Sequence, residues 1–437
     1  MLGRERVLRS CRVLNRAWTD RLGVGLLREP GFRRFWTAQV VSELGSGVSS
    51  VALPLTAVLW LGASAMEMGV LRAAATLPVL LFALHAGVWV DRLPRRPIMV
   101  AADAGRGLLL LLVPLAAAAG LLRIDVLWAV AFVVGVLTVV FDIAVTSYVP
   151  TLVGRAALVE ANATLQASSA AARIVGPGAA GWLVQLVGAP AALLADAASF
   201  VASAALLWRL RVPEAAPGAR RGVGAEIAEG LGAVWHDPLL RAMVLVTTVG
   251  SLGGSVQAAV YVLYATRYVG ASPAALGAVL ACGSAAGLAG AALAGPAAAR
   301  LGTGGALVAS TAVVAASTVA LLAAPAGDAG VLVLAGAQAL FGLGLTTYSV
   351  TQISLRQAVT PPHLLGRVNA TRRVVVFGVQ PLGALLGGAL GETLGLHAAL
   401  TAAAAIQVVS LVAAFASPLR ALSDAAPAGR AGDASAG

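Results

Sequence analysis

Lysine is missing from this 437-residue chain, and all thirty of its basic residues are arginine. Without lysine there is no Gly-x-x-x-x-Gly-Lys phosphate loop, so ATP is not expected to be the direct energy source. Charge of either sign is scarce, at 11% of residues, where soluble domains carry about 25%. Only two cysteines occur, Cys11 and Cys282, which give no disulfide framework. No His/Cys/Asp cluster has metal-site spacing, so no metal and no other cofactor is expected. No nucleophile–base pair stands out either, and the chain does not read as an enzyme.

What is abundant is apolar. Hydrophobic residues make up 59% of the chain and the mean hydropathy is +0.89. Runs of about 20 apolar residues are needed to cross a bilayer as a helix. Such runs lie near 35–59, 68–90, 97–120, 126–150, 160–187 and 190–209. Six more lie near 241–265, 273–299, 304–325, 330–356, 367–392 and 396–417. They are continuous rather than alternating, which excludes the strands of a membrane barrel. The expected fold is an all-α integral membrane protein of twelve transmembrane helices. Fifty glycines and abundant alanine suit helices that pack closely in lipid.

The arginines set the orientation. Residues 1–34 hold nine of them, and most others fall in alternate loops on the same side. This is the positive-inside pattern rather than a nucleic-acid surface. The layout is an Arg-rich cytoplasmic tail (1–34), a six-helix bundle (35–209), a cytoplasmic linker (210–240), a second six-helix bundle (241–417) and a cytoplasmic tail (418–437). Both termini are expected in the cytoplasm of a multi-pass cell-membrane protein, working as a monomer. The N-terminal tail is expected to rest on the anionic inner leaflet. In the linker, Val223, Ile227, Leu231 and Val234 recur at helical spacing. They suggest an amphipathic helix lying on the membrane or packed on neighbouring loops.

The two halves repeat. Glu29-Pro30-Gly-Phe-Arg33 recurs as Asp237-Pro238-Leu-Leu-Arg241, and Leu44-Gly45 recurs as Leu252-Gly253. Gly87-(three residues)-Asp91-Arg92 recurs as Gly295-(three residues)-Ala299-Arg300. Asn162-Ala-Thr164 recurs as Asn369-Ala-Thr371. The offset stays at about 207 or 208 residues, the mark of a parallel repeat in a membrane carrier.

One segment concentrates charge: Gly87-Val-Trp-Val-Asp91-Arg92-Leu-Pro-Arg95-Arg96. Gly87 permits close helix contact at the inner end of span two. Asp91 closes that helix, where a carboxylate needs cationic or donor partners. With Arg92, Arg95 and Arg96 it forms a candidate conformational latch. Span five carries Ala172-Arg173-Ile-Val-Gly176-Pro177-Gly-Ala-Ala180-Gly181. There Gly176 and Gly181 allow tight packing, and Pro177 removes a backbone donor and bends the helix.

These two segments resemble signatures of the major facilitator superfamily. The first is similar to its hairpin motif Gly-x-x-x-Asp-Arg-x-Gly-Arg-Arg, with Pro94 in place of the second glycine. The second is similar to the antiporter motif Gly-x-x-x-Gly-Pro-x-x-Gly-Gly. Phe32-Arg-Arg-Phe-Trp36, Leu158-Val-Glu-Ala-Asn162 and Val234-Trp-His-Asp-Pro238 resemble the third drug/proton antiporter branch. The resemblance implies two six-helix bundles that rock about a central cavity lined by spans one, four, seven and ten. It implies export of a small amphipathic compound, a drug, antibiotic or siderophore, by exchange for protons. Proton-coupled nutrient import by the same fold is the alternative, with a non-transporting membrane sensor behind it.

Ionisable groups inside spans are functional candidates by default. Glu43 and Asp142 each sit roughly 12 Å from the inner ends of their spans, at about 1.5 Å per residue. Either is a candidate proton-coupling group, with Arg173 as a switching partner. Asp142 is also a candidate member of the latch, which Arg372 and Arg373 would meet from the second half. Asp103 and Arg106 stand i, i+3 and read as a self-paired structural couple, and Asp196 also reads as structural. Gln257, Tyr261, Tyr264, Gln338, Tyr348 and Gln352 supply neutral polar groups for a cavity suited to amphipathic or cationic molecules.

Overall fold

The computed structural model describes residues 25–154, 157–210, 234–361 and 364–422, together with Gly232; the side chains of Ala83, Leu84, His85, Val88, Trp89, Asp91 and Ala421 fall outside that description. The expected linker helix falls almost wholly outside the described residues, as do Cys11 and most of the N-terminal tail.

Twelve long helices are present among the described residues. The first half contains α1 (Pro30–Leu55), α2 (Ala65–Arg92), α3 (Arg95–Ala118), α4 (Ile124–Val153), α5 (Leu158–Val187) and α6 (Ala189–Trp208). The second begins with α7 (Pro238–Leu263). A continuous helical stretch follows over Pro273–Leu321, but Gly302 inside it has φ 71° and ψ 161°. That left-handed residue divides it into α8 (273–301) and α9 (303–321). The chain then forms α10 (Asp328–Val359), α11 (Leu365–Thr393) and α12 (Leu396–Ala416). Every expected span is recovered, usually with a few extra residues at its ends.

The helix starts follow local chemistry. Asp237 caps α7 by accepting from the backbone N–H groups of Leu239 and Leu240 at 2.8 and 3.0 Å, with Pro238 in the first helical turn. Ser64 and Glu67 form a reciprocal capping box at α2. Ser272 accepts from Ala275 N–H at 3.2 Å at the start of α8.

The internal repeat extends to backbone detail. A single π-helical turn ends the first helix at Thr56–Trp60, and another ends α7 at Tyr264–Tyr268. The second hairpin turns on Gly302, whereas its counterpart Pro94 has φ −58° and ψ 131° and sits beside the extended Leu93. Proline cannot adopt the left-handed φ of the glycine. The first hairpin therefore turns through extended backbone where the second turns through a left-handed residue.

Within the first half, α1 packs on α5 and α6, α2 on α4, and α3 on α4 and α6. The second half repeats this plan, with α7 on α11 and α12. The halves meet chiefly along α2 with α11 and α5 with α8. An even number of crossings puts both described termini on one side, called here the near side; the α1–α2 turn lies on the far side.

Candidate functional site: a cavity between the two halves

The far side is closed by backbone contact. A Cβ built on Gly181 of α5 would stand 2.4 Å from the carbonyl oxygen of Pro273 and 2.9 Å from Gly277 Cα on α8. The matching crossing is at Gly69 of α2, where a Cβ would stand 2.7 Å from Ala384 O and 2.9 Å from Gly388 Cα on α11. These two glycine crossings are mates under the repeat, and both join the halves. Polar ties run beside them. Arg267 donates to the Ala63 carbonyl at 2.8 Å, and Glu392 accepts from Met66 N–H at 3.1 Å. The carboxylate of Glu392 thus sits on the N-terminus of α2, where helix amides favour an anion.

The antiporter-like segment of α5 serves two contacts. Gly176 packs inside the first half, its added Cβ falling 2.8 Å from Gly47 Cα of α1. Gly181 and the Pro177 carbonyl face Gly277 across the halves. No such role falls to Gly87: a Cβ there, and one at its counterpart Gly295, meets nothing within 4 Å. The close contact expected at Gly87 is not made among the described residues in this conformation.

Between the halves, below the glycine crossings, lies a cavity of about 320 Å³ lined from α1, α2, α7, α8 and α10. A second lobe of about 370 Å³ lies against α5, α8 and α10 and shares Gln338 and Phe341 with the first. Of the expected polar lining, Gln257, Tyr261 and Gln338 are in place. Tyr261 has a buried hydroxyl without a hydrogen-bond partner among the described residues, while Gln257 accepts from Thr318 at 3.2 Å. Arg173 lines the second lobe.

Three expected cavity residues are elsewhere. Tyr264 is fully buried and donates to the Leu321 carbonyl at 3.1 Å, because the π turn swings it toward α9. Tyr348 shares a hydrogen bond with Thr247 at 2.9 Å inside the second half. Gln352 accepts from Arg356 at 3.1 Å and is 2% exposed. These three tie helices together. The expected lining by α4 is also absent from both lobes, and α2, α5 and α8 take part instead.

A second centre lies toward the near side of the first half. Arg106 is buried on α3, bonded to Asp103, and held 4.2 Å from the ring centroids of both Phe141 and Phe200. Ser203 donates to Asp103 at 2.6 Å. The self-paired couple expected at these positions is therefore present. Arg106 also interacts electrostatically with Asp142 and Asp196, so one guanidinium serves three carboxylates. Asp142 in turn lies in electrostatic range of Glu43 and of Arg373 from the other half. Glu43 accepts from Ser169 of α5 at 2.5 Å. The structure thus places Asp142 within electrostatic range of both Glu43 and Arg373, while Arg173 lines the second lobe of the cavity.

The second half carries the opposite charge at this level. Arg356 and Arg372 act on one another, as do Arg372 and Arg373, and no carboxylate acts on Arg356 or Arg372 among the described residues. Arg96 is engaged within its own half: its Nε donates to Leu207 O at 3.1 Å, and it also bonds Trp208 O at the C-terminus of α6. Arg92 is exposed, and Arg95 is half-buried.

Two ionisable residues escaped the sequence reading, Arg356 and Arg72. Arg72 lies in the middle of an apolar run on α2 and lines the first lobe. A lone ionisable group inside a span is the signal that should have singled it out.

A twelve-helix membrane protein with two repeated bundles, a cavity between them and glycine crossings at one end has the major facilitator fold. A family model described as transmembrane secretion effector matches residues 23–432. The chain belongs to that family, a drug-efflux branch of the superfamily, and is a multi-pass membrane transporter rather than an enzyme. It is 30% identical over 398 residues to the multidrug efflux pump Tap of Mycolicibacterium fortuitum, covering 88% of this chain and 95% of that one. Among solved structures it matches the nucleoside transporter NupG (D323A mutant) with a TM-score of 0.74 at 12% identity, over 88% of this chain and 99% of that one. It matches a bacterial homologue of the iron transporter ferroportin in its inward-facing state with a TM-score of 0.73 at 16% identity, covering 88% and 97%. The outward-facing state of a ferroportin homologue gives 0.56 at 18% identity, covering 88% and 98%.

Proposed function

We propose that this protein exports small amphipathic compounds across the cell membrane by alternating access, in exchange for protons. The observation that carries the reading is the cavity between the halves, closed on its far side by the paired glycine crossings and their polar ties. Kinship to a multidrug efflux pump supplies the direction. The near side is then the cytoplasm, and the conformation is inward-facing. The higher score against the inward-facing ferroportin homologue than against the outward-facing one supports this assignment.

Proton coupling would run through Asp142 and Glu43. Three carboxylates, Asp103, Asp142 and Asp196, gather around one buried arginine of their own half, and Glu43 lies in electrostatic range of Asp142. Unpaired negative charge is costly away from water, and a proton relieves it. Arg373 offers Asp142 an alternative cation from the opposite half. Closing the cytoplasmic side would bring the arginines of α10 and α11 against the acids of the first half. Asp91, Arg92 and Arg95 would complete this latch. A proton on Asp142 would weaken the attraction and favour reopening.

Everted membrane vesicles test the reading. Amphipathic dyes should accumulate when a proton gradient is imposed and stop when it is dissipated. Accumulation that ignores the gradient would remove the proton-coupling step. Accumulation that needs ATP without a gradient would remove secondary transport altogether.

A further inference from the structure

Arg72 is a cation at the head of the central cavity. It lies seven residues into α2, roughly 10 Å from the far-side end of that helix at 1.5 Å per residue. Arg72 is exposed rather than enclosed, and it forms part of the wall of the first lobe. No carboxylate, hydrogen bond or ring holds its guanidinium among the described residues. Its counterpart in the repeat is Leu280, which lines the same lobe. The charge is therefore carried on one wall only.

The rest of the cavity sharpens this. Neither lobe contains an aspartate or glutamate. The second lobe adds Arg173, so the two ionised groups of the cavity are both guanidinium groups. Such a lining repels an organic cation and leaves five donors on Arg72 without an acceptor. The Tyr261 hydroxyl is a further donor in the same lobe without a partner among the described residues. Leu53, Leu71, Val262 and Phe341 supply apolar wall around them.

We infer that the transported compound is an amphiphile bearing an anionic oxygen group, such as a carboxylate, which Arg72 binds while the apolar body lies against α7, α8 and α10. This rests on the export reading and narrows its substrate class. It replaces the cation-binding cavity expected from the neutral polar and aromatic residues alone. A guanidinium matches a carboxylate through two parallel N–H···O bonds, a geometry that lysine lacks. The cavity volume of about 320 Å³ is at the lower end of the range for small-molecule sites.

The test uses the purified full-length protein and two dyes of one uncharged skeleton: dansyl-leucine, with a free carboxylate, and its ethyl ester. Fluorescence anisotropy should show the wild type binding dansyl-leucine at least about tenfold more tightly, the contribution of one charge-assisted hydrogen-bonded pair. Arg72→Gln should remove that preference, and Arg72→Lys should restore part of it. Equal binding of the two dyes by the wild type overturns the assignment, as does binding of neither. A preference that persists in Arg72→Gln moves the anion site away from Arg72 and also overturns it. Transport in everted vesicles is scored separately with the same dyes. Ester transport without carboxylate preference leaves export standing and removes the anion site. Carboxylate binding with transport of neither dye does the reverse.

Discussion

Gly181 on α5 and Gly277 on α8 meet backbone to backbone across the two halves: a Cβ on Gly277 would stand 2.8 Å from Gly181 Cα and 2.5 Å from the Pro177 carbonyl. The obstacle is main chain, so no rotamer change relieves it. Gly69 and Gly388 make the same contact between α2 and α11. A methyl group at any of the four must part the halves.

Gly181→Ala and Gly277→Ala should therefore shift the protein away from the form that is closed on its far side. A spin-label pair at Gln185 and Ala274, which now share a 3.5 Å contact, should report a longer distance in each variant. Only Cys11 and Cys282 need be replaced beforehand. An unchanged distance distribution would show that the crossing is not part of the seal.

The polar ties beside the crossings should act in the same direction with smaller effect. Glu392→Ala removes the anion from the N-terminus of α2, and Arg267→Ala frees the Ala63 carbonyl. Helix-terminus contacts contribute about 0.3–1 kcal/mol each. A cysteine at Met68 should react with a membrane-impermeant maleimide up to several-fold faster in the double variant, when applied from outside the cell.

Asp142→Asn should separate binding from coupling. The variant keeps the shape of the carboxylate but cannot cycle a proton. Dye accumulation driven by a pH gradient should fall at least about tenfold, the cost of losing an acid–base group, while downhill dye movement persists. Glu43→Gln tests the other candidate in the same assay. If both variants accumulate dye at the wild-type rate, neither residue carries the proton.

Asp103→Ala addresses stability. It leaves Arg106 without its bonded carboxylate while buried between Phe141 and Phe200. Breaking a buried ion pair from one side costs about 3–5 kcal/mol. Thermal unfolding of the purified protein should show a clearly lowered midpoint, whereas Arg123→Ala, an exposed partner of Asp125, should leave it unchanged.

Asp91→Asn probes the latch. It should reduce transport several-fold with normal membrane insertion, because one carboxylate out of the hairpin does not alter the arginine pattern that sets topology. Wild-type transport would assign the hairpin arginines to topology alone.

Much of the fold was written in runs of apolar residues, and the repeat was visible in Pro30 and Pro238 or in Leu44-Gly45 and Leu252-Gly253. The near-side charges were legible for a related reason: Asp103, Arg106, Asp142 and Glu43 are ionisable groups where lipid tolerates few. The cavity was harder. Tyr264, Tyr348 and Gln352 share residue type with Tyr261, Gln338 and Gln257, yet the first three line neither lobe of the cavity. Composition identifies a polar group inside a span but does not say whether a neighbouring helix already satisfies it.

By itself, then, the sequence determined twelve helices in two repeated halves, because length and hydropathy act locally against the bilayer. Only the tertiary structure decided which glycines seal the far side and which arginine faces the cavity. Those outcomes depend on how one half lies against the other. Gly69 meets Gly388 and Gly181 meets Gly277 only through helices distant in the chain. Arg72 is left without a counter-charge for the same reason: what lines a cavity is set by the packing of five separate helices around it.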